Sequence, residues 1–368
     1  MQRAYLGISF YILCIMLTII GCIAIYSASY VYAFEQGLSS SYYLNRQILG
    51  LSIAILAGIC IANLPTKLVL QSAPYAFITT LGLTLATLIP KIGITIHGAS
   101  RWLNTGVLTI QPSEMLKICT IWYLSYFLDK KTFVMHDFYH TFMPAITIIL
   151  AAILTLLLQP DFGQAVTLGA TCCSLLYIFE TPHRYLIATG MCTMILLLFL
   201  IIHAPYRIHR IITFLYPWHD PYGSGFQIIQ SLIAIGNGGM LGQGITCSQQ
   251  KYFYLPMQHT DFIFSILAEE SGFIGSMTII ILFTALLYVG FFFAMKTSSR
   301  IAKGFILGYT LLVIIQALAN ISITLGILPT KGLGLPFISY GSSALVAHGI
   351  ACGIIKHCWK NTHYQELI

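Results

Sequence analysis

Charge is what this sequence has least of. Asp, Glu, Lys and Arg together make up 8% of its 368 residues, where a soluble domain carries about 25%. A chain so poor in charge cannot clothe a water-facing surface, which excludes an ordinary soluble enzyme. Apolar residues make up 57% and the mean hydropathy is +0.83, so the expected class is an all-α polytopic membrane protein. No cleavable signal peptide is expected: the first apolar run is too long for an h-region and reads as the first span. The ten cysteines form no C-x-x-C pair and no Cys/His metal spacing. They lie mostly inside apolar runs, Cys247 being the clearest loop member, and read as small buried hydrophobes. No internal repeat is visible, which weighs against repeat-built transporter folds.

What is present is a series of ten apolar runs, at about 8–30, 47–64, 73–90, 109–128, 143–159, 162–180, 184–204, 262–295, 302–327 and 339–357. A membrane span needs roughly 20 such residues. The expectation is one membrane domain over 1–368 with no soluble domain attached. Ten spans put both termini on one side. The loops of that side hold Arg3, Lys67, Lys130, Lys131, Arg184, Lys296, Arg300, Lys303, Lys356 and Lys360, against Arg46, Lys91, Arg101, Arg207, Arg210, Lys251 and Lys331 on the other. The denser set marks the cytoplasm. The net charge of +7 therefore does not suggest nucleic acid. It splits into topology signals inside and an anion-facing set outside.

The largest outer segment runs from about 205 to 260, rich in turns at Asp220–Gly225, Gly236–Gly239 and Gly242–Gly244, with a short half-buried helix expected from Phe226 to Ile235. A long ordered loop is usually functional. A second irregular stretch, Pro329–Pro336, leads to Ser339–Ser343. Irregular backbone at membrane depth is tolerated where it lines a cavity, so the two stretches are candidate walls of one outward-facing cavity.

Ionisable groups inside spans cost about 2.5–3.5 kcal/mol each at a helix centre, which singles out Glu114, Lys117, Glu269 and Glu270, with Asp161 and Asp261 at span ends. Glu114 and Lys117 share a helix face and read either as a self-neutralising pair or as a charged wall open to a phosphate. Asp161 follows Gln159-Pro160 and reads as a helix cap or as a partner of Asp261. Asp261 stands where a polar loop meets the eighth apolar run, near a positive helix end. It reads equally as a catalyst or as a first-turn carboxylate behind a Thr260 cap. On a continuous helix Glu269 would lie about 80° around and about 12 Å deeper than Asp261, with Glu270 on the far side, so at most one of them could approach the same cavity and the other would pair with another helix. His259 flanks the site. Arg101-Trp102 is an interfacial anchor or a phosphate clamp, and Arg207 and Arg210 flank the long loop.

Taken together, His97–Trp102, Gln111–Lys117, Gln159–Gly163, Gly223–Ser231, His259–Phe264 and Leu335–Gly341 resemble, in order, the motifs of the SEDS (shape, elongation, division, sporulation) family of peptidoglycan glycosyltransferases. The resemblance spans about residues 8–358. Within the family, Leu328–Leu333 is worded like the division branch, FtsW, more than the elongation branch, RodA. Two departures stand out: Met257-Gln258 replaces the usual Glu-Ala, and Gly341-Ser342-Ser343 replaces Gly-Gly-Ser-Ser. The resemblance implies ten spans with both termini inside and polymerisation of lipid II at the outer face of the bacterial cytoplasmic membrane, at the division septum. It places the catalytic carboxylate on Asp261 and pocket residues on Arg101, Glu114, Lys117 and Asp161. Arg210, Gln230, His259 and Ser339 are further candidate substrate contacts. A divalent cation, Mg or Mn, is a candidate cofactor, with Asp261 and Asp161 as its ligands. The implied partners are the nascent glycan strand, a class B penicillin-binding protein and other division proteins, with membrane lipid around the spans. In such a reaction Asp261 would act as general base in an inverting displacement. A lipid II flippase or other transporter is the competing class, since intramembrane charges and an outward cavity fit that too.

Overall fold

The structure, a computed structural model, describes residues 2–96, 99–104, 109–131, 137–202, 205–252 and 255–360. His97-Gly98 and the side chains of Arg3, Arg207 and Lys360, all singled out in the sequence, lie outside the described residues. Twelve α-helices are described: α1 (Gln2–Glu35), α2 (Tyr42–Asn63), α3 (Thr66–Ala86), α4 (Pro112–Lys130), α5 (Met143–Leu158), α6 (Phe162–Ile178), α7 (His183–Ile202), α8 (Pro205–Leu215), α9 (Phe226–Gly238), α10 (Ile263–Met295), α11 (Arg300–Thr324) and α12 (Ser342–Lys360). Ten of them coincide with the ten apolar runs; α8 and α9 lie within the long segment. Six helical stretches among the described residues are long and apolar enough to cross a membrane: Tyr5–Glu35, Tyr42–Asn63, Thr66–Ala86, Phe138–Leu158, Ile263–Met295 and Arg300–Thr324. The surface is apolar along them. On α1, Ile8, Ile12, Ile15, Ile19 and Ile23 are all exposed, a row that water would penalise and lipid accepts.

The interior is built where α11 packs against α4, α6 and α10, and where α1 lies along α10 and α12 along α2. Trp122, Tyr309, Phe264, Phe293 and Phe305 are fully buried there. One element departs from the all-α expectation. Between α3 and α4 the chain forms a small antiparallel sheet, β1 (Gly93–Ile96), β2 (Ala99–Asn104) and β3 (Thr109–Ile110), in the order β1-β2-β3. It is docked rather than free: Thr87 Oγ1 donates to the Ser100 carbonyl at 3.0 Å, and Gln159 Nε2 donates to Thr87 Oγ1 at 2.5 Å. The sheet thereby carries Arg101 to the corner between α5 and α6.

α10 is interrupted. Gly272 has φ 64° and ψ −162°, a conformation that only glycine adopts readily. The gap is filled by the chain after α9. Gln243 N and Gly244 N donate to the Glu269 and Glu270 carbonyls, both at 3.0 Å, and Phe273 N donates to the Gly239 carbonyl at 2.8 Å. Backbone groups freed by the break are thus satisfied by protein, as a low-dielectric environment requires.

Candidate active site

A cavity of about 530 Å³ opens at the end of the bundle where α8, α9, the 255–262 segment and the 329–336 stretch meet. Its lining includes Arg210, Thr213, Ser224, Gln227, Met257, Asp261, Thr330, Lys331 and Gly332. Both irregular stretches are therefore among its walls.

Asp261 lies two residues before the first helical residue of α10. The cap position belongs to Phe262, and no side-chain capping bond is made there. Among the described residues no hydrogen bond or ion pair closes on the Asp261 carboxylate. Asp161 contrasts with it. Its Oδ1 accepts from Gln164 N at 3.4 Å and caps α6, while its Oδ2 lies 3.4 Å from Arg101 Nη1. Of two carboxylates with the same sequence signature, one is a cap and the other is not.

Asp261 is half-buried, open to the cavity on one side and surrounded by protein on the others. Burial pushes its carboxyl up to about 7; the Asp161 charge adds to the rise and Arg101 opposes it. Burial also raises Asp161, against the pull of Arg101. Gly332 faces the carboxylate so closely that a Cβ there would sit 3.1 Å from Asp261 Oδ2. Beside it, the Lys331 ammonium lies 4.9 Å from the centre of the Phe162 ring.

The other sequence candidates occupy different places. Arg101 donates from Nε to the Gln159 carbonyl at 3.1 Å and from Nη2 to the Pro160 carbonyl at 2.7 Å. Its fork holds the α5–α6 corner instead of projecting into the cavity. Lys117 is fully buried, 3.0 Å from Glu114 Oε2 and 3.0 Å from Gln316 Oε1. Gln164 Nε2 donates to Glu114 at 2.7 Å, and Gln316 Nε2 donates to the Gly334 carbonyl at 2.8 Å. The Glu114–Lys117 pair is self-neutralising and, through Gln316, props the 329–336 wall. Arg210 lines the cavity and donates to the Thr330 carbonyl at 3.3 Å. Gln230 is half-buried on α9; Gln227 is the α9 amide that lines the cavity. The His259 ring sits 4.8 Å from Tyr43, 5.5 Å from Tyr32 and 5.8 Å from Tyr340. Burial pushes its imidazole down to about 4, so it is neutral at pH 7 and cannot serve as a phosphate's counter-charge. The Ser339 hydroxyl is engaged with backbone, accepting from Leu335 N and donating to the Thr260 carbonyl, both at 2.6 Å.

Glu269 and Glu270 hold the loop, which helical periodicity did not anticipate. Glu269 accepts from the Ser248 hydroxyl, from Gln249 N at 3.1 Å and from Gln250 N at 3.3 Å. Glu270 accepts from Lys251 Nζ at 3.0 Å and from Ser27 of α1. Neither lines the cavity. Among the described residues no group of three or more His, Cys, Asp or Glu side chains converges on a metal-sized point. Asp161 is already paired with Arg101, so the donor set makes no protein-only cation site. Thr213 and Asn320 were not flagged by the sequence, and Ser224, Gln227 and Gly332 only as members of flagged stretches; Asn320 is a polar residue inside an apolar helix, the one signal that could have drawn notice.

The family model described as cell cycle protein, covering FtsW, RodA and SpoVE, matches residues 8–364. Stage V sporulation protein E of Bacillus subtilis is 36% identical over 353 residues, 96% of each chain. A probable peptidoglycan glycosyltransferase FtsW of Geobacter sulfurreducens is 39% identical over 348 residues, 94% of this chain and 92% of that one. Among solved structures, a chain of a peptidoglycan synthase complex described as coordinating polymerization and crosslinking superposes with a TM-score of 0.78 at 26% identity, covering 97% of this chain and 98% of that one. RodA of Thermus thermophilus shares the fold, with a TM-score of 0.69 at 23% identity over 96% of each chain. The chain is a multi-pass membrane protein of the family of FtsW, RodA and SpoVE.

Proposed function

We propose that this protein is a peptidoglycan glycosyltransferase that polymerises lipid II into glycan strands during division, with Asp261 as general base. The observation that carries the reading is the uncommitted Asp261 carboxylate, opening on a cavity that also contains Arg210 and Lys331. The curated relatives named FtsW support the division assignment.

The reaction joins a sugar hydroxyl to an anomeric carbon. A hydroxyl is a weak nucleophile at neutral pH, and a positioned base contributes roughly 10²–10⁴-fold. Asp261 takes the proton of the acceptor 4-hydroxyl as its oxygen attacks the donor's anomeric carbon. The bond from that carbon to the lipid pyrophosphate breaks, and the pyrophosphate leaves as the anion. Direct displacement inverts the centre, giving a β-linkage from an α-linked donor with no second nucleophilic carboxylate. A carboxyl that titrates near 7 suits a base working near that pH. Arg210 and Lys331 meet the charge that develops on the leaving group. A divalent cation, Mg or Mn, would add to them only where the pyrophosphate supplies its oxygens beside Asp261, since magnesium is commonly held by one or two carboxylates plus substrate phosphates. Arg101 and Asp161 act on the reaction through the field they set at Asp261. Glu114 and Lys117 act through the wall they support and Ser339 through its bonds to the Leu335 and Thr260 backbone, while Gln230 and His259 lie outside the cavity lining.

The same reading gives ten spans in one domain over 1–368, with the 205–260 loop outside and both termini in the cytoplasm of a bacterial cell. The protein sits in the cytoplasmic membrane at the septum. Its partner is a class B penicillin-binding protein, in keeping with the likeness to a chain of a synthase complex. The test is purified protein in liposomes with lipid II. A glycan ladder supports the polymerase; lipid II movement without a ladder makes the protein a flippase instead.

A further inference from the structure

Three successive carbonyls precede α10, and each receives a hydrogen bond from a distant part of the chain. The His259 carbonyl accepts from Tyr340 N at 3.0 Å. The Thr260 carbonyl accepts from the Ser339 hydroxyl at 2.6 Å. The Asp261 carbonyl accepts from Asn320 Nδ2 at 2.7 Å. The same Asn320 nitrogen also donates to the Leu333 carbonyl at 2.5 Å, and Leu335 N donates to the Ser339 hydroxyl at 2.6 Å. Two side chains therefore bridge the backbone that carries Asp261 to the stretch that carries Lys331 and Gly332.

Neither bridge is a chance surface contact. Asn320 is 1% exposed in the last two turns of α11, where the two bonds from its Nδ2 offset part of the cost of burying an amide whose Oδ1 has no partner among the described residues. The carboxylate has no hydrogen bond of its own among the described residues, so its position is set by its backbone. That backbone is set by the bridges, and Gly332 meets the carboxylate on the other side.

We propose that Asn320 and Ser339 are positioning residues that fix the Asp261 backbone against the Lys331–Gly332 wall, so that the carboxylate stands where the acceptor hydroxyl arrives. This rests on the reading of Asp261 as general base. An error of about 1 Å in such a placement can cost on the order of 100-fold in rate. Burial sets the carboxyl's titration first, with Asp161 at the α5–α6 corner and Arg101 from β2 acting on it; the other charged groups at the cavity are Arg210 from α8 and Lys331 from the 329–336 wall, and His259 lies two residues before it on its own segment. Loosening the bridges lets water reach the carboxyl and moves it back toward the ordinary carboxylate range.

The test compares Asn320→Ala, Ser339→Ala and the double variant with the unaltered protein, using purified full-length chains and lipid II, with Asp261→Asn as control. The folded fraction of each is taken from its thermal transition. The expected result is a kcat per folded molecule at least tenfold lower, KM changed less than about twofold, an acidic limb of the pH–rate profile moved to lower pH, and a double variant no worse than the sum of the singles. If Asn320→Ala does not fold, Ser339→Ala alone decides. An unmoved limb with an unchanged kcat per folded molecule overturns the positioning role, while an inactive Asp261→Asn in the same series upholds the base. An active Asp261→Asn removes the base itself, whichever way the bridges behave.

Discussion

The Lys251 ammonium lies 3.0 Å from the Glu270 carboxylate, and both side chains are withdrawn from solvent, the lysine completely. The ammonium also sits 4.9 Å from the centre of the Tyr30 ring. A loop lysine is thus buried against the break in α10, and with the Glu269 bonds it fastens the loop that leads to Asp261.

Removing one member of a buried pair leaves the other charge uncompensated, at about 3–5 kcal/mol, whereas replacing both can be close to neutral. Lys251→Met is therefore expected to lower the unfolding temperature in detergent sharply. Lys251→Met combined with Glu270→Gln is expected to recover much of the loss, because the residual amide is far cheaper to bury than a carboxylate. Equal losses in single and double variants would show that the pair is not the fastening.

Much of this was legible in the sequence where length and polarity decide. The ten apolar runs became ten helices because a helix satisfies its own backbone wherever water is scarce. The 329–336 wall followed from a Gly- and Pro-rich stretch that cannot stay helical, whereas α8, also a wall, was not expected and α9 runs on through Gly236 to Gly238. Asp261 stood out as a carboxylate at a boundary, yet Asp161 carried the same signal and proved to be a cap. The difference lies in where the helix starts: α6 opens directly after Asp161, which meets Gln164 N, whereas α10 opens two residues after Asp261 and leaves the cap position to Phe262. Periodicity allows at most one of Glu269 and Glu270 at the cavity, and neither lines it, while Glu270 meets Ser27 of another helix, α1; their bonds to the 248–251 loop had no local signal, since those partners are set only by the fold. The small sheet escaped notice because its strands are two to six residues long. Asn320 was visible as a polar residue in a span, but its partners, Asp261 and Leu333, are defined only by the fold.

The raised carboxyl of Asp261 has a consequence for stability. Its folded value of about 7 lies above the unfolded 3.8, so between those values the folded chain holds a proton that the unfolded chain has lost. Stability falls as pH rises through this window, and the penalty is full above about 7. Asp261→Asn removes the penalty. Its thermal transition is expected to exceed that of the unaltered protein at pH 8, with the gap closing as pH falls toward 4. A constant gap across that range would contradict the raised value.

Arg101 pulls the same carboxyl in the opposite direction. Arg101→Met is expected to move the acidic limb of activity to higher pH and to lower stability, since the α5–α6 corner loses both carbonyl contacts and Asp161 its counter-charge. A limb that stays in place would remove Arg101 from the electrostatics of the site.

Gly332→Ala tests the closeness of the wall. The added Cβ would stand 3.1 Å from Asp261 Oδ2, tight enough to push the carboxylate by a few tenths of an ångström while leaving the fold intact. Polymerisation is expected to fall about tenfold or more with little change in thermal transition. Unchanged activity would mean that the carboxylate's place is not critical.

The central claim is that Asp261 performs the proton transfer, and the most direct measurement is the initial rate of lipid II polymerisation by purified Asp261→Asn protein. The account predicts a folded, monodisperse variant whose rate is lower by at least the 10²-fold expected of a lost general base, with the glycan ladder absent at early times. A folded variant that builds the ladder at the rate of the unaltered protein would contradict it.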